Sequence, residues 1–202
     1  MKNDIESKLN QREFRGVQVA PTEEEYIVEG YATTFNNPYV LYADSECEIR
    51  EQVDSHAFDD CDMSDVIMQF DHTGKVYART RNNTLQLSCD EHGLKVRAYL
   101  GGTDDGKSLY QAIKGGYIDR MSFGFVVTAH EVTRVDEVGA KEIVLRTITK
   151  IGKLYDVSAV SIPANDYTSI SARKFSDGVI AELQTERFER AKAKLKIKLM
   201  EV

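Results

Sequence analysis

Most of this chain is patterned in short apolar runs separated by turn residues, which is typical of β-strands. From Cys47 to Val53 apolar and polar side chains alternate, as they do in a strand with one buried face. Two runs flank Asp90–Gly93, which predicts a hairpin in which Gly93 has a positive φ. The predicted strands are 26–34, 47–53, 66–70, 85–89, 94–100, 122–132, 142–151 and 153–160.

Two segments have a helical pattern instead. The first follows the capping candidates Thr103–Asp105 and ends at the pair Gly115 and Gly116. Its apolar stripe is formed by Leu109, Ala112 and Ile113. The second begins after Ser176 and spans about six turns at ~3.6 residues per turn. Its apolar positions at near-helical spacing are Ile180, Leu183, Phe188, Ala191, Leu195 and Leu199.

These elements predict a mainly β (α+β) fold. Many strands and few helices favour a closed or nearly closed β-barrel, which is followed by a C-terminal helix. A length of 202 residues suits one domain with added terminal segments. We predict an N-terminal arm over 1–25, a barrel domain over 26–175 and an amphipathic basic helix over 176–202.

The charge distribution bears on partners. The chain has a net charge of −7, and phosphate contact needs clustered Lys and Arg, so we expect no nucleic-acid partner. Residues 187–198 instead carry six positive charges and one negative charge. This helix either packs on the barrel or on a second subunit, or it docks an acidic partner. No apolar run approaches the ~18 residues of a membrane span, and the first residues lack a signal-peptide pattern.

The cysteines and the common cofactor motifs predict no metal and no cofactor. Cys47, Cys61 and Cys89 have neither the spacing of a disulfide framework nor that of a zinc site. The acidic run 59–62 would raise the pKa of the Cys61 thiol, which argues against a cysteine nucleophile. The segment 101–108 superficially resembles a phosphate loop, but its two aspartates would repel phosphate.

The candidate chemistry is that of a serine hydrolase. Ser122 lies in an apolar run, and it needs a neighbouring base to become a nucleophile. His72 directly follows a strand-like run and is the candidate base. Asp156 is a lone acid in an apolar strand, where an unpaired charge is costly, and is our first choice to orient the imidazole. Asp71 and His130 are weaker alternatives.

Each of these residues also has a plain structural interpretation. Ser122 could bond to the backbone of its own sheet, His72 could be a loop histidine, and Asp156 could be a surface carboxylate. Spacing alone does not decide, because such triads are recognised by geometry and not by sequence order. The chain has no Gly-x-Ser-x-Gly elbow, so an α/β-hydrolase is not expected.

Six segments, taken in order, resemble the prohead (capsid maturation) protease family of tailed phages, which are relatives of the herpesvirus assemblins. The likeness covers about residues 26–173. Its most specific parts are Ser122–Phe125 and Pro163–Asn165. The six segments are 29–36, 48–58, 68–72, 90–96, 118–125 and 154–165.

The resemblance implies a herpes-assemblin-like closed β-barrel with a few surrounding helices. It also implies His72 as base and Ser122 as nucleophile. Asp156 takes the third position, where the family often has Glu. Backbone amides near Ala164 and Asn165 are the expected donors to the oxyanion. His56 falls in a turn of the family pattern and is not expected to be catalytic.

The function implied by this resemblance is a serine endopeptidase that cleaves scaffold protein, capsid precursor and itself inside the assembling prohead in the host cytoplasm. Extended peptide would bind by strand addition. A homodimer is a candidate assembly, and the basic helix is a tether to scaffold or a self-cleaved tail. The alternatives are a catalytically inactive capsid-assembly or scaffold protein of the same barrel, and a binding module that uses its sheet edges.

Overall fold

The computed structural model describes residues 12–45, 47–136 and 141–161, together with 178–182, 184–185, 188–189 and 192. The helix α1 is Asp104–Lys114, and a short 3-10 turn is Thr80–Asn82. The strands are β1 Arg12–Pro21, β2 Ile27–Thr34, β3 Tyr39–Ala43, β4 Cys47–Val53, β5 Ile67–Phe70, β6 Thr73–Arg79, β7 Leu85–Cys89, β8 Gly93–Tyr99, β9 Arg120–Asp136 and β10 Glu142–Val160.

A long antiparallel hairpin of β9 and β10 forms the spine of the molecule. β10 pairs with β9 on one side along its whole length. On its other side it pairs in parallel with β4 through residues 142–148, and then with β5 through residues 156–159. Register shifts between Ile148 and Asp156 divide the spine into a distal half, which pairs with β4, and a proximal half, which pairs with β5. Such bulges bend a strand and increase its twist.

The strands form an open sheet, so the predicted closed barrel is wrong. The strand order is β3-β4-β10-β9-β1-β2-β8-β7, and β5 and β6 form a branch on β10. β4 joins the distal half of the spine, whereas β1 joins β9 only at residues 120–126. The end strand β3 is therefore connected to the distal half of the spine through β4, and the end strand β7 is connected to the other half through β8, β2 and β1. β3 and β7 do not pair with each other within the described residues. The mainly β fold class is confirmed.

The main core lies between the proximal strands and α1. Phe123 and Phe125 stack at 4.3 Å between ring centroids, and both are fully buried. They alternate with Ser122 and Gly124, so the two faces of β9 differ in character. From α1, three side chains complete this core: Leu109, Tyr110 and Ile113.

A second, smaller apolar group lies on the distal half of the spine. This distal cluster consists of Leu41, Cys47, Ile49 and Val144. Val179 and Ile180, which are helical, pack against it. Arg134 of β9 also forms an ion pair with Glu182 at 3.2 Å. The start of the C-terminal helical segment is therefore held on the distal sheet.

A buried ion pair separates the distal cluster from the main core. Glu51 and Arg146 are register partners on β4 and β10, and their side chains meet at 2.7 Å. Tyr39 donates a hydrogen bond to the other oxygen of Glu51. Removing one partner of such a pair typically costs about 3–5 kcal/mol, because the other charge stays buried.

Several predicted elements are confirmed. β4 and β7 have the predicted bounds, and α1 begins after Thr103, whose hydroxyl accepts a hydrogen bond from Gly106 N at 3.0 Å. The two strands predicted over 142–160 are one continuous strand. The pattern predicted no strand at 12–21, 39–43 or 73–79, where β1, β3 and β6 lie.

The prediction that Gly93 has a positive φ is wrong. Gly93 has no positive φ, and Asp90 closes the loop by accepting hydrogen bonds from the amides of His92 and Gly93. A Cβ at Gly93 would lie 2.0 Å from Thr33 O. Glycine is therefore needed there for the close approach of β2 to β8.

The division into arm, domain and tail stays a prediction. In the described part of the C-terminal segment, residues 178–182, 184–185, 188–189 and 192 are helical. No helix in the part of the chain that the structure describes is long and apolar enough to cross a membrane.

Candidate active site

Three adjacent strands bring the candidate residues to one face of the sheet. Ser158 on β10 lies opposite Ser122 on β9 and beside Gln69 on β5. Asp156 is two positions before Ser158 and therefore shares its face. Directly opposite side chains in an antiparallel pair have Cβ atoms about 4.5–5.5 Å apart, so the hydroxyls of Ser122 and Ser158 are close neighbours.

His72 is presented by the tight turn that joins β5 to β6. Phe70 pairs with Thr73, so the loop has two residues, Asp71 and His72. Their φ angles are 49° and 57°. Positive φ at both central positions is the signature of a type I′ turn, whose twist matches that of the flanking strands. Positive φ is uncommon outside glycine, although Asp and His adopt it more readily than most residues, and residues held in such regions concentrate at functional sites.

The turn places His72 against Asp156. His72 Nδ1 lies 2.5 Å from Asp156 Oδ1, with the Asp156 side chain fully buried and that of His72 16% exposed. Because a carboxylate only accepts, Nδ1 carries the proton in the neutral imidazole and Nε2 is left as the acceptor. Asp156 is thus the buried, paired acid that the sequence predicts, and neither Asp71 nor His130 contacts His72 in its place among the described contacts.

Ser122 is a buried hydroxyl of an unusual kind. The residue has no exposed surface, and its Oγ has no hydrogen-bond partner within the described residues. The plain interpretation of a strand serine bonded to backbone therefore finds no support there. Leaving a buried donor unsatisfied costs about 1–3 kcal/mol, so such a group calls for an explanation, and a catalytic role is one of those known.

Asp71 ties the turn to the end of β10. Its carboxylate accepts hydrogen bonds from the amide of Ser161 at 2.8 Å and from the Ser161 hydroxyl. The amide of Asp71 donates to Ala159 O at 2.9 Å. These contacts fix the turn that carries His72 relative to the strand that carries Asp156.

The other candidates lie elsewhere or are not described. His130 pairs with Ile148 in the distal half of the spine, eight positions beyond Ser122. His56 is exposed and bonds to Asp59. Ala164 and Asn165 lie outside the described residues, so the oxyanion donors stay a prediction. Burial raises the pKa of the Cys61 thiol to about 11, with a smaller contribution from Asp62.

Sequence reasoning missed two features of this site. They are Ser158 and the role of Asp71 in holding the turn to the end of β10. Ser158 Oγ donates to Asp156 Oδ1 at 2.8 Å. The spacing Asp-x-Ser within a strand puts both side chains on one face, and that signal was present in the sequence. Within the described residues, no cluster of His, Cys, Asp or Glu could hold a metal ion.

Two comparisons with known proteins identify relatives of this chain. The profile of the caudovirus prohead serine protease family matches residues 12–179. The prohead protease of Enterobacteria phage HK97 is 31% identical over 157 residues, which are 76% of this chain and 62% of that protein. The chain thus spans less than two thirds of the length of that relative. No solved structure matches the chain significantly. The family match extends over both halves of the spine and over every strand of the candidate site, and the chain belongs to the caudovirus prohead serine protease family.

Proposed function

We propose that this chain is a serine endopeptidase in which Ser122 is the nucleophile, His72 the base and Asp156 the group that orients the base. The hydrogen bond between His72 and Asp156 carries the proposal, because it fixes the imidazole with Nδ1 toward the acid. Ser122, on the same sheet face, supplies a hydroxyl with no competing partner in the described part of the chain.

The chemistry follows the general order for such triads. Nε2 of neutral His72 takes the proton as Ser122 Oγ attacks the scissile carbonyl, and the imidazolium then gives it to the leaving amine. Asp156 stays ionised and stabilises the imidazolium. Water attacks the acyl-enzyme in the second half of the cycle, again with His72 as base. Backbone amides near Ala164 and Asn165 are the proposed donors to the oxyanion.

The family points to the substrates. Prohead proteases act in the assembly of phage shells, so we propose capsid precursor and scaffold protein as substrates within the assembling prohead in the host cell. Self-cleavage and a homodimer belong to the same proposal. An extended peptide would bind beside the hairpin of β5 and β6 by strand addition.

Self-cleavage provides the direct test. Wild type, Ser122→Ala, His72→Ala and the control Ser88→Ala, at an exposed serine of β7, are expressed with a capsid precursor and followed by intact mass. We expect cleavage by wild type and Ser88→Ala only. Equal cleavage by Ser122→Ala would remove Ser122 as nucleophile.

The second candidate is a catalytically inactive assembly protein of the same fold. It predicts that no variant, wild type included, changes any mass, while all of them still associate with the shell proteins. The C-terminal tail is tested separately. If it is a tether, a chain ending at Ser176 retains cleavage in solution but is not incorporated into shells.

A further inference from the structure

The side-chain hydroxyl of Ser158 is hydrogen-bonded to the carboxylate of Asp156. Its Oγ donates to Asp156 Oδ1 at 2.8 Å, and both residues have no exposed surface. The same oxygen faces His72 Nδ1 at 2.5 Å. One carboxylate oxygen therefore has two donors from different directions.

This arrangement restricts the orientation of the carboxylate. The terminal torsion of an aspartate side chain is broad, so a single contact with His72 leaves the plane of the carboxylate poorly defined. A second donor two positions along the same rigid strand fixes which oxygen faces the imidazole. The register also puts Ser158 directly opposite Ser122, so Ser158 is a neighbour of both Asp156 and Ser122.

We infer that Ser158 is a positioning residue for the proposed triad. It holds Asp156 Oδ1 toward His72, and through it the ring orientation and the tautomer of the base. Its hydroxyl takes no part in bond making or breaking. The inference rests on the proposed function, because positioning matters for catalysis only if His72 and Ser122 react.

Within the described part of the chain, the strands that flank Asp156 and Ser158 present no charged side chain opposite them. On β9, Asp156 and Ser158 face Gly124 and Ser122, and on β5 they face Ile67 and Gln69, all uncharged. The charged groups of the hairpin are engaged elsewhere. They are Asp71, bonded to Ser161, Lys75, which pairs with Asp105, and Arg79, which pairs with Asp65.

A change in the pH profile is therefore expected when the donor is removed. Without the bond from Ser158, the negative charge on Asp156 Oδ1 is less satisfied, and the carboxylate stabilises the imidazolium form of His72 more strongly. The neutral imidazole is the base, so activity is lost at a higher pH on the acid side. A merely structural role for Ser158 would lower activity equally at all pH values.

The experiment compares three substitutions at Ser158 with the control Ser88→Ala. Ser158→Ala removes the donor, Ser158→Thr keeps it, and Ser158→Cys keeps only a weak one. The reaction of Ser122 with a fluorophosphonate probe and self-cleavage are measured from pH 5 to 9, with thermal unfolding as the check on folding. We expect Ser158→Ala to lower both rates about tenfold, since hydrogen bonds to charged groups are the stronger class. We expect Ser158→Thr to restore most of the rate.

Failure of this inference differs from failure of the proposed function. If wild type reacts but folded Ser158→Ala keeps its rate and its acid limb, the positioning role is wrong. If Ser158→Ala does not fold, Ser158→Cys decides by the same criteria. If wild type neither reacts nor cleaves, the proposed function fails. NMR titration of His72 in a Ser122→Ala background then still tests Ser158, and an unchanged protonation midpoint in the double variant overturns the inference.

Discussion

At the scale of single residues, the site depends on how a buried acid is satisfied. Asp156 is completely buried, and it is accommodated because His72 and Ser158 both contact Oδ1. The family resemblance puts Glu at this position in many members. Here the shorter side chain reaches the imidazole because the I′ turn brings His72 over the strand.

Replacing Asp156 by Asn tests this role. The amide keeps the shape but can present its NH2 group to His72, which favours the wrong tautomer of the imidazole. We expect the rate of cleavage to fall on the order of 10⁴-fold, with little change in the thermal unfolding temperature. Asp104→Asn, at an exposed carboxylate of α1, is the control and should retain full activity. A loss below tenfold in Asp156→Asn would remove Asp156 from the triad.

Residue types alone predicted part of the candidate site, and the family resemblance was needed to favour Ser122 and His72 over their plain structural interpretations. A lone aspartate in an apolar strand needs a partner, which led to the pairing of Asp156 with His72. The turn conformation of His72 was not predictable, because the sequence Asp71-His72 lacks the glycine or asparagine that usually marks a I′ turn. The contact with Ser161 that holds this turn is non-local and leaves no pattern.

At the scale of elements, the hairpin of β5 and β6 positions His72, the proposed base. Asp71 contributes in two ways, through its hydrogen bonds to Ser161 and through its tolerance of a positive φ. The two contributions separate by substitution, since Gly accepts the backbone conformation but has no side chain.

We therefore expect Asp71→Asn to retain most activity and Asp71→Gly to lose about tenfold, the effect of a hydrogen bond of about 1.4 kcal/mol. Asn tolerates a positive φ and still offers an acceptor to the Ser161 amide. Steady-state cleavage of a peptide substrate checks this. Equal activities for the two variants would show that the clamp does not position His72.

The prediction of elements followed their burial pattern. β4 alternates strictly and was predicted with its bounds, and α1 carries its own cap in Thr103. β1 has polar residues along much of its length and was missed, although it pairs with β9 and β2. β6 was missed because its first four residues are exposed. Strands that form mainly because they pair with neighbouring strands show little hydrophobic periodicity in their own sequence.

A further prediction at this scale concerns the packing of the C-terminal helical segment on the distal cluster. Ile180 packs over the distal cluster, in which Cys47 is only 3% exposed. We expect Ile180→Asp to release the segment and to expose the Cys47 thiol, so that it reacts faster with a disulfide reagent. The assay uses a Cys61→Ala, Cys89→Ala background, which leaves one thiol.

Phe188→Asp is the matched control, because Phe188 is 67% exposed and its change should leave the reaction rate of Cys47 as it is. If Ile180→Asp also leaves the rate unchanged, the contact with the distal cluster does not protect the thiol in solution.

At the scale of the whole molecule, many Asp and Glu side chains of the acidic surface form ion pairs with Lys and Arg side chains. Among the described residues, six carboxylates have pKa values below the ordinary ones, and for five of them the main cause is a hydrogen bond from a Lys or Arg side chain. For Asp90 it is the hydroxyl of Tyr31. The six are Glu29, Glu48, Asp60, Asp62, Asp65 and Asp90.

These shifts set the acid side of the stability profile. Because the folded pKa values are lowered, the unfolded chain binds more protons, and the stabilisation is present above the ordinary values of 4.5 for Glu and 3.8 for Asp. We expect the urea midpoint to be flat just above pH 5 and to fall below about pH 4.5. Salt should weaken the dependence, since the pairs are mostly exposed. A midpoint that rises between pH 5 and 3 would contradict this assignment.

The sequence separation between the parts of the site has a consequence for when activity arises during synthesis. His72 and Asp156 are 84 positions apart, and both parallel partners of β10 precede it by a similar distance. Contacts so distant in sequence form slowly, because the loop must close before they contribute. A growing chain contains His72 and Ser122, the proposed base and nucleophile, before it contains Asp156, the proposed acid. If the proposed function holds, proteolytic competence arises only after synthesis has passed Val160, and the nascent chain is protected from self-cleavage until then.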